Sequence, residues 1–392
     1  MKKNTLLLLL LFLNYEVFCQ TYFHRDTTVN VSENGIAFKN AWASGLNSTQ
    51  FNEIDLDLDG KKDLIVFDKS GNKTLPYLNK NGQFVFAPDF RQSLPDLHDW
   101  VILADYNCDG KNDIYTYSTG GVAIYENTSS SSLSFSLVTN LVLSDYGGPN
   151  PINIYISAVD IPAVSDVDYD GDLDILTFKI TGGFIEFHKN MAMETIGNCD
   201  TVLFELSESC WGNFYEGLNN YTLNCQNCQC PPIINHPNAK QKHAGSTLLA
   251  IDIDNDYDKD IVLGDISFSN LNLLINGGDS TSANMILIDS MFPQNNSNTI
   301  PASMDIFPAA YYLDLTDDGI KDLIVTSNSE NNSENFTSCW LFNNSGSNSN
   351  IDLNFYQNNF LQNDMIDLGS GSHPTFFDHN NDGLLDIVVG NY

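Results

Sequence analysis

Six times the chain repeats an aspartate-rich loop of one spacing and follows it directly with a short apolar run, so metal chemistry and fold repeat are written together. The first three copies are Asp55-Leu-Asp57-Leu-Asp59-Gly60-Lys61-Lys-Asp63, Asp105-Tyr-Asn107-Cys-Asp109-Gly110-Lys111-Asn-Asp113 and Asp166-Val-Asp168-Tyr-Asp170-Gly171-Asp172-Leu-Asp174. The others are Asp252-Ile-Asp254-Asn-Asp256-Tyr257-Asp258-Lys-Asp260, Asp314-Leu-Thr316-Asp-Asp318-Gly319-Ile320-Lys-Asp322 and Asp378-His-Asn380-Asn-Asp382-Gly383-Leu384-Leu-Asp386. Each places oxygen side chains at loop positions 1, 3, 5 and 9. Ca²⁺ takes six to eight oxygens at about 2.3–2.6 Å, and a tight turn at position 6 brings alternate side chains onto one centre. Position 7 then adds a backbone carbonyl, from Lys61, Lys111, Asp172, Asp258, Ile320 or Leu384. Glycine at position 6 permits the turn.

An EF-hand begins in the same way but supplies a bidentate Glu at position 12 and flanks its loop with helices. Here position 12 is Val66, Thr116, Thr177, Leu263, Val325 or Val389, inside runs such as Leu64–Phe67 and Ile387–Val389. Those runs are too short and too β-branched for helices, so the loops join strand to strand.

With 42% hydrophobic residues the chain has enough apolar material for a real core. The net charge of −33 is concentrated where divalent cations would neutralise it. An acidic surface repels phosphate backbones and anionic membranes, and no Lys/Arg cluster offsets it, so nucleic acid is excluded as a partner. Residues 1–19 read as a signal peptide: Lys2 and Lys3 precede the apolar run 6–13, and a cut after Cys19 leaves Gln20 first. Lipid attachment at Cys19 is the rival reading, disfavoured by bulky Phe18. No later segment resembles a transmembrane span. Beyond Cys19 there are seven cysteines, five of them crowded into Cys199, Cys210, Cys225, Cys228 and Cys230. In an exported chain these imply disulfides, with zinc on Cys225, Cys228 and Cys230 with His236 and His243 as the alternative. The odd count implies a free thiol or an intermolecular bond.

The first aspartates of successive loops lie 50, 61, 86, 62 and 64 residues apart, a period fitting four strands per unit. The 86-residue gap holds a cysteine-rich insertion at about 191–245, expected to be an excursion from the third unit. A second element follows the first five loops: Tyr77-Leu-Asn79, Tyr125-Glu-Asn127, His188-Lys-Asn190, Leu274-Ile-Asn276 and Leu341-Phe-Asn343, read as a third strand ending in a turn. Asn81-Gly82 and Gln83–Phe86 add a hairpin turn and fourth strand to the first unit. Four-stranded sheets that need neighbours to bury their faces close radially, leaving short edges. The expectation is an all-β fold, a β-propeller of four-stranded blades over 20–392 with six recognisable repeats. Either strands near 28–32 and 36–42 complete the sixth, or the chain is a fragment of a seven- or eight-bladed propeller.

These residues resemble the FG-GAP-like or VCBS repeat family, whose propellers carry D-x-D-x-D-G-x-x-D loops between the first two strands of a blade, as in integrin α-subunit heads. Trp42–Asn47 and Gln50-Phe51 are also similar to secreted bacterial members. The resemblance implies Ca²⁺ as cofactor, several ions in all, with ligands on the six loops.

Enzyme signatures are sparse: there is no G-x-S-x-G, H-E-x-x-H or G-x-x-x-x-G-K. His98, His188 and His373 read as surface or packed residues, while Trp100, Trp211 and Trp340 are candidate sugar platforms without a demanding spacing. The expected function is a secreted or cell-surface, non-catalytic binding or adhesion module for a protein or glycan. The alternative is an extracellular polysaccharide lyase on a calcium-stabilised propeller, disfavoured because only 17 Lys and Arg are available to grip uronate.

Overall fold

The apolar run after each aspartate loop becomes the second strand of a sheet, and in Asp63–Asp68, Asp260–Asp265 and Asp322–Ser327 every residue is buried. A strand buried on both faces must have a sheet-edge neighbour on each side and another layer above and below it. The computed structural model, which describes residues 25–217, 220–230, 245–294, 297–330, 332–369 and 371–391, supplies both.

Five blades follow one another along the chain, four of them four-stranded antiparallel sheets and the third a six-stranded sheet, each with its four blade strands in sequential order. Blade one is Thr49–Ile54, Asp63–Asp68, Lys73–Asn79 and Phe84–Phe86. Blade two is Val101–Ala104, Asp113–Ser118, Gly121–Asn127 and Phe135–Thr139. Blade three is Ala163–Ser165, Asp174–Phe178, Ile185–Asn190 and Phe204–Trp211, extended at its outer edge by Leu143–Asp145 and Ile152–Asn153. Blade four is Ser246–Ile251, Asp260–Asp265, Leu271–Asn276 and Met285–Asp289. Blade five is Pro308–Leu313, Asp322–Ser327, Cys339–Asn344 and Leu353–Gln357.

The blades form a closed ring. Five hydrophobic clusters fill the five blade-to-blade interfaces: Phe67 and Ile114 join blades one and two, Tyr115 and Ile175 two and three, and Leu176 and Ile261 three and four. Val262 and Leu323 join four and five, and Phe51, Ile324 and Leu341 close five onto one. Polar clamps fix the inner strands. The Gln50 amide donates to Asp99 O and accepts from Val101 N, and Asn52 repeats the pattern with Val101 O and Leu103 N. Thr247 Oγ1 donates to Pro308 O at 2.7 Å, and Thr326 Oγ1 donates to Thr49 O at 2.5 Å across the closure.

The ring therefore has five blades, which corrects the expectation of six. The sixth aspartate loop lies in a separate hairpin, His373–Phe377 paired with Asp386–Gly390, whose apolar Phe376, Leu385 and Ile387 are exposed. The early strands do not complete it: Val31–Glu33 pairs with Ile36–Phe38 as a hairpin of its own. Blade three's outer strand, Phe204–Trp211, falls inside the stretch assigned to the insertion. Beyond it the hairpin Tyr215–Gly217 with Asn220–Thr222 packs Tyr221 and Phe214 onto the cluster between blades three and four.

Among the described residues the cysteines pair as Cys108–Cys199, Cys210–Cys228 and Cys225–Cys230, leaving Cys339 as a buried free thiol. Cys199 thus leaves the cysteine cluster to meet Cys108 of loop two, and Cys225, Cys228 and Cys230 are not available to zinc. The expected signal peptide over 1–19, His236 and His243 lie outside the described residues.

Gly264 marks where blade four meets blade five: a Cβ there stands 1.8 Å from Pro308 O and 2.7 Å from Thr247 Oγ1. Both are held by the interblade hydrogen bond, so neither can retreat. Gly264→Ala is expected to destabilise the fold by about 2–3 kcal/mol through overpacking. Urea unfolding with an unchanged midpoint would refute this account of the interface.

Candidate metal centres

All six loops share one hydrogen-bonded frame. The position-1 carboxylate accepts the position-5 amide at 3.0–3.3 Å, as in Asp59 N to Asp55 and Asp318 N to Asp314. The position-5 carboxylate accepts the position-7 amide, so Lys61, Lys111, Asp172, Asp258, Ile320 and Leu384 are each tied through their N–H to Asp59, Asp109, Asp170, Asp256, Asp318 and Asp382. Such local side-chain to backbone bonds are what aspartate offers in turns. They tie the loop into a small concave knot before any ion is considered.

Two positions in each loop are left-handed. Position 6 is expected from sequence: Gly60, Gly110, Gly171, Gly319 and Gly383 have φ between +83° and +105°, and Tyr257 adopts +71° without glycine's freedom. Position 4 carries no sequence signal yet is left-handed throughout, with Leu58, Cys108, Tyr169, Asn255, Asp317 and Asn381 at φ of +58° to +62°.

Position 9 is the buried anchor. Asp63 accepts Leu56 N at 2.8 Å and Asn79 N at 2.7 Å. The same pair of bonds recurs at Asp113 with Tyr106 and Asn127, Asp174 with Val167 and Asn190, Asp260 with Ile253 and Asn276, and Asp322 with Leu315 and Asn344. One carboxylate thus staples its loop to the end of the third strand. The recurring asparagine completes the knot: Asn79, Asn127, Asn276 and Asn344 donate Nδ2 to the carbonyl of position 8. In blade five the residue is Asn344, one beyond the Asn343 read from sequence. In the exposed hairpin Asp386 keeps the His379 N bond, at 2.7 Å, and among the described residues its two strands pair with each other alone.

Loops one, three and four each converge three carboxylates within 4.8 Å: Asp55, Asp57 and Asp63; Asp166, Asp168 and Asp174; Asp252, Asp254 and Asp260. Loops two, five and six carry Asn107, Thr316 and Asn380 at position 3, so among the described residues they form no such trio. The donor set fits a hard cation: it is all oxygen, and the buried Oδ1 atoms of Asp168, Asp172 and Asp258 have no hydrogen-bond partner. An orphaned buried carboxylate oxygen costs about 1–3 kcal/mol or more, which a bound cation removes. Lysines already lean into the loops: Lys80 Nζ is 3.1 Å from Asp57, Lys111 Nζ is 2.8 Å from Asp109, and Lys189 pairs with Asp168, Asp170 and Glu194. Glu194 was invisible in the sequence, since only the short helix Ala192–Thr195 returns it to loop three.

The other candidates fall away as platforms. Trp100 and Trp211 are core residues, and Trp340 donates Nε1 to Thr337 O while meeting Phe355 edge-on. His188 is fully buried, with Nδ1 2.9 Å from Ser144 Oγ.

Residues 55–116 match the FG-GAP-like repeat. That stretch runs from the first aspartate of loop one to the second strand of blade two, one full repeat. No curated protein matches the chain. Among solved structures, an Agrocybe aegerita lectin recognising non-reducing terminal N-acetylglucosamine is similar over 88% of this chain and 75% of its own, at 14% identity and a TM-score of 0.34. The Tc holotoxin pore of Photorhabdus luminescens is similar over 89% of this chain and 13% of its own, at 14% identity and a TM-score of 0.36.

Burial raises the carboxyl pKa at position 9 in all five blades, against the pull of the two backbone N–H donors: to about 6 for Asp113 and Asp322, about 7 for Asp260 and about 8 for Asp174, with Asp63 also raised. In the native protein without metal these groups hold protons that the unfolded chain releases near pH 4. Their contribution to stability is therefore complete below about pH 4 and is lost as pH rises toward 8. In excess chelator the melting temperature is expected to fall between pH 5.5 and pH 8. A melting temperature that rises over that interval in chelator would contradict this placement of the buried carboxyls.

Proposed function

We propose that this protein is an extracellular calcium-binding propeller that acts as a non-catalytic binding module for a protein or glycan. The observation that carries the calcium reading is the convergence of three carboxylates in each of loops one, three and four, beside buried carboxylate oxygens that lack partners. Four or five aspartates in one turn repel one another, and a divalent ion turns that repulsion into the force that holds the loop. Loops two, five and six, with a neutral oxygen at position 3, bind more weakly in this reading. In blades one to five the ion serves the fold first, because position 9 links it to the third strand.

Extracellular placement is supported by three disulfides, which persist in oxidising compartments. No helix among the described residues is long and apolar enough to cross a membrane. For ligand binding the supporting feature is a cleft of about 970 Å³ between blade one, blade five and the exposed hairpin. Trp42 and Phe376 line it beside Asn47, Asn335 and Asp367, a mixture of aromatic surface and polar groups that suits a sugar or a peptide side chain.

Each site should stabilise the native state by RT ln(1 + [L]/Kd), with extracellular sites commonly at a Kd of about 10⁻⁴–10⁻³ M. In millimolar Ca²⁺ the melting temperature is expected to rise above its value in chelator, with at least three ions bound per chain. Superimposable melts would sink the calcium reading. A glycan screen reading both retention and unsaturated product tests the module: retention lost in Trp42→Ala supports it, and new product replaces it with a lyase.

A further inference from the structure

Loop three differs from its siblings in charge. It gathers six carboxylates, Asp166, Asp168, Asp170, Asp172, Asp174 and Glu194, around the ammonium of Lys189, with Lys259 also acting on Asp166. With both ammonium groups counted, one divalent ion leaves two negative charges there. The same count at loop one, with four aspartates and Lys80, leaves only one.

The carboxylates also fall into two groups. Asp166, Asp168 and Asp174 form the trio that the loop pattern calls for, while Asp168, Asp170 and Glu194 form a second within the same 4.8 Å limit, and Asp168 belongs to both. Asp172 adds an orphaned oxygen that its loop-four counterpart Asp258 shares, but among the described residues loop three alone sets a second carboxylate trio beside it. Asp172 is 1% exposed, its Oδ2 accepts Met193 N at 2.9 Å, and its Oδ1 has no partner although Asp168, Asp170 and Glu194 lie close enough to perturb its charge. A buried, orphaned carboxylate oxygen beside three other carboxylates is costly unless a cation reaches it. Lys189 shows where a cation is drawn, since its Nζ contacts Asp168, Asp170 and Glu194 but is a single charge among them. The geometry that supplies Glu194 is built in: the helix Ala192–Thr195 directly follows the third strand of blade three, Ala192 is fully buried, and the Cys108–Cys199 disulfide ties the segment beyond it to loop two.

We propose that loop three binds a second divalent cation, held by Asp168, Asp170, Asp172 and Glu194, next to the ion of the loop proper and bridged to it by Asp168. This rests on the calcium reading above. An all-oxygen, carboxylate-rich site suits Ca²⁺ over softer metals. Lys189 is the competing cation that this ion displaces, which makes it the weaker of the two.

The test counts Ca²⁺ on the intact protein by native mass spectrometry at rising Ca²⁺, in wild type, Glu194→Gln, Lys189→Met and Asp57→Asn. Glu194→Gln is expected to lose one ion while its melting temperature in chelator stays at the wild-type value. Lys189→Met is expected to keep the full count and to fill its last site at about tenfold lower Ca²⁺. Asp57→Asn, in loop one, reports on the calcium reading alone. Wild type that binds no ions overturns both readings. A Glu194→Gln count equal to wild type, with Asp57→Asn reduced by one, overturns the second site and leaves the first standing.

Discussion

Everything in this ring depends on a buried aspartate that accepts two backbone amides. At Asp63, Asp113, Asp174, Asp260 and Asp322 one oxygen takes the N–H of loop position 2 and the other takes the N–H of the third-strand asparagine. A carboxylate in this position is expensive to bury, and the two charge-assisted bonds, each about 1.5–3 kcal/mol, offset only part of that cost, which is why burial still raises its pKa. The consequence is geometric. The inner, second and third strands of a blade cannot shift relative to one another without breaking the staple, so the metal loop and the sheet are one unit.

That unit explains how a chain so acidic can hold a compact core. The loop carboxylates sit at the ends of strands whose apolar faces meet in five interblade clusters, so the charge of the loops lies at the rim of the layers. The central cavity of about 520 Å³ is lined mainly by inner-strand residues such as Phe51, Ile102, Val164, Leu249 and Tyr311, with Glu53, Lys62 and Lys321 also on its wall. The divalent ions proposed for the rim would reduce the repulsion and strengthen the staple together, since the same position-9 aspartates stand in the carboxylate trios of loops one, three and four.

Much of this was legible in the sequence because local chemistry determined it. The strand after each loop, the position-6 turn and the third-strand asparagines all follow from residues within one repeat, and four of the five asparagines were placed at the right residue. Blade five was misread by one residue because Asn343 and Asn344 are adjacent and only the bond from Asn344 N to Asp322 distinguishes them. Blade number was not legible, because closure depends on contacts 250 or more residues apart in sequence, such as Thr326 to Thr49 and Asp314 to Glu53. The sixth motif satisfies the local pattern as well as any other, but its strands pair only with each other. Glu194 and the Cys108–Cys199 link were hidden for the same reason: each is a meeting of segments that no spacing rule connects.

Amide hydrogen exchange on the protein in Ca²⁺ tests the staple most directly. The amides of Leu56, Tyr106, Val167, Ile253 and Leu315, although they belong to surface loops, are predicted to exchange as slowly as those of the buried second strands. Chelator is predicted to speed them together with Asn79, Asn127, Asn190, Asn276 and Asn344. Loop amides that exchange at the rate of free turns in Ca²⁺, while the strands remain protected, would contradict the account.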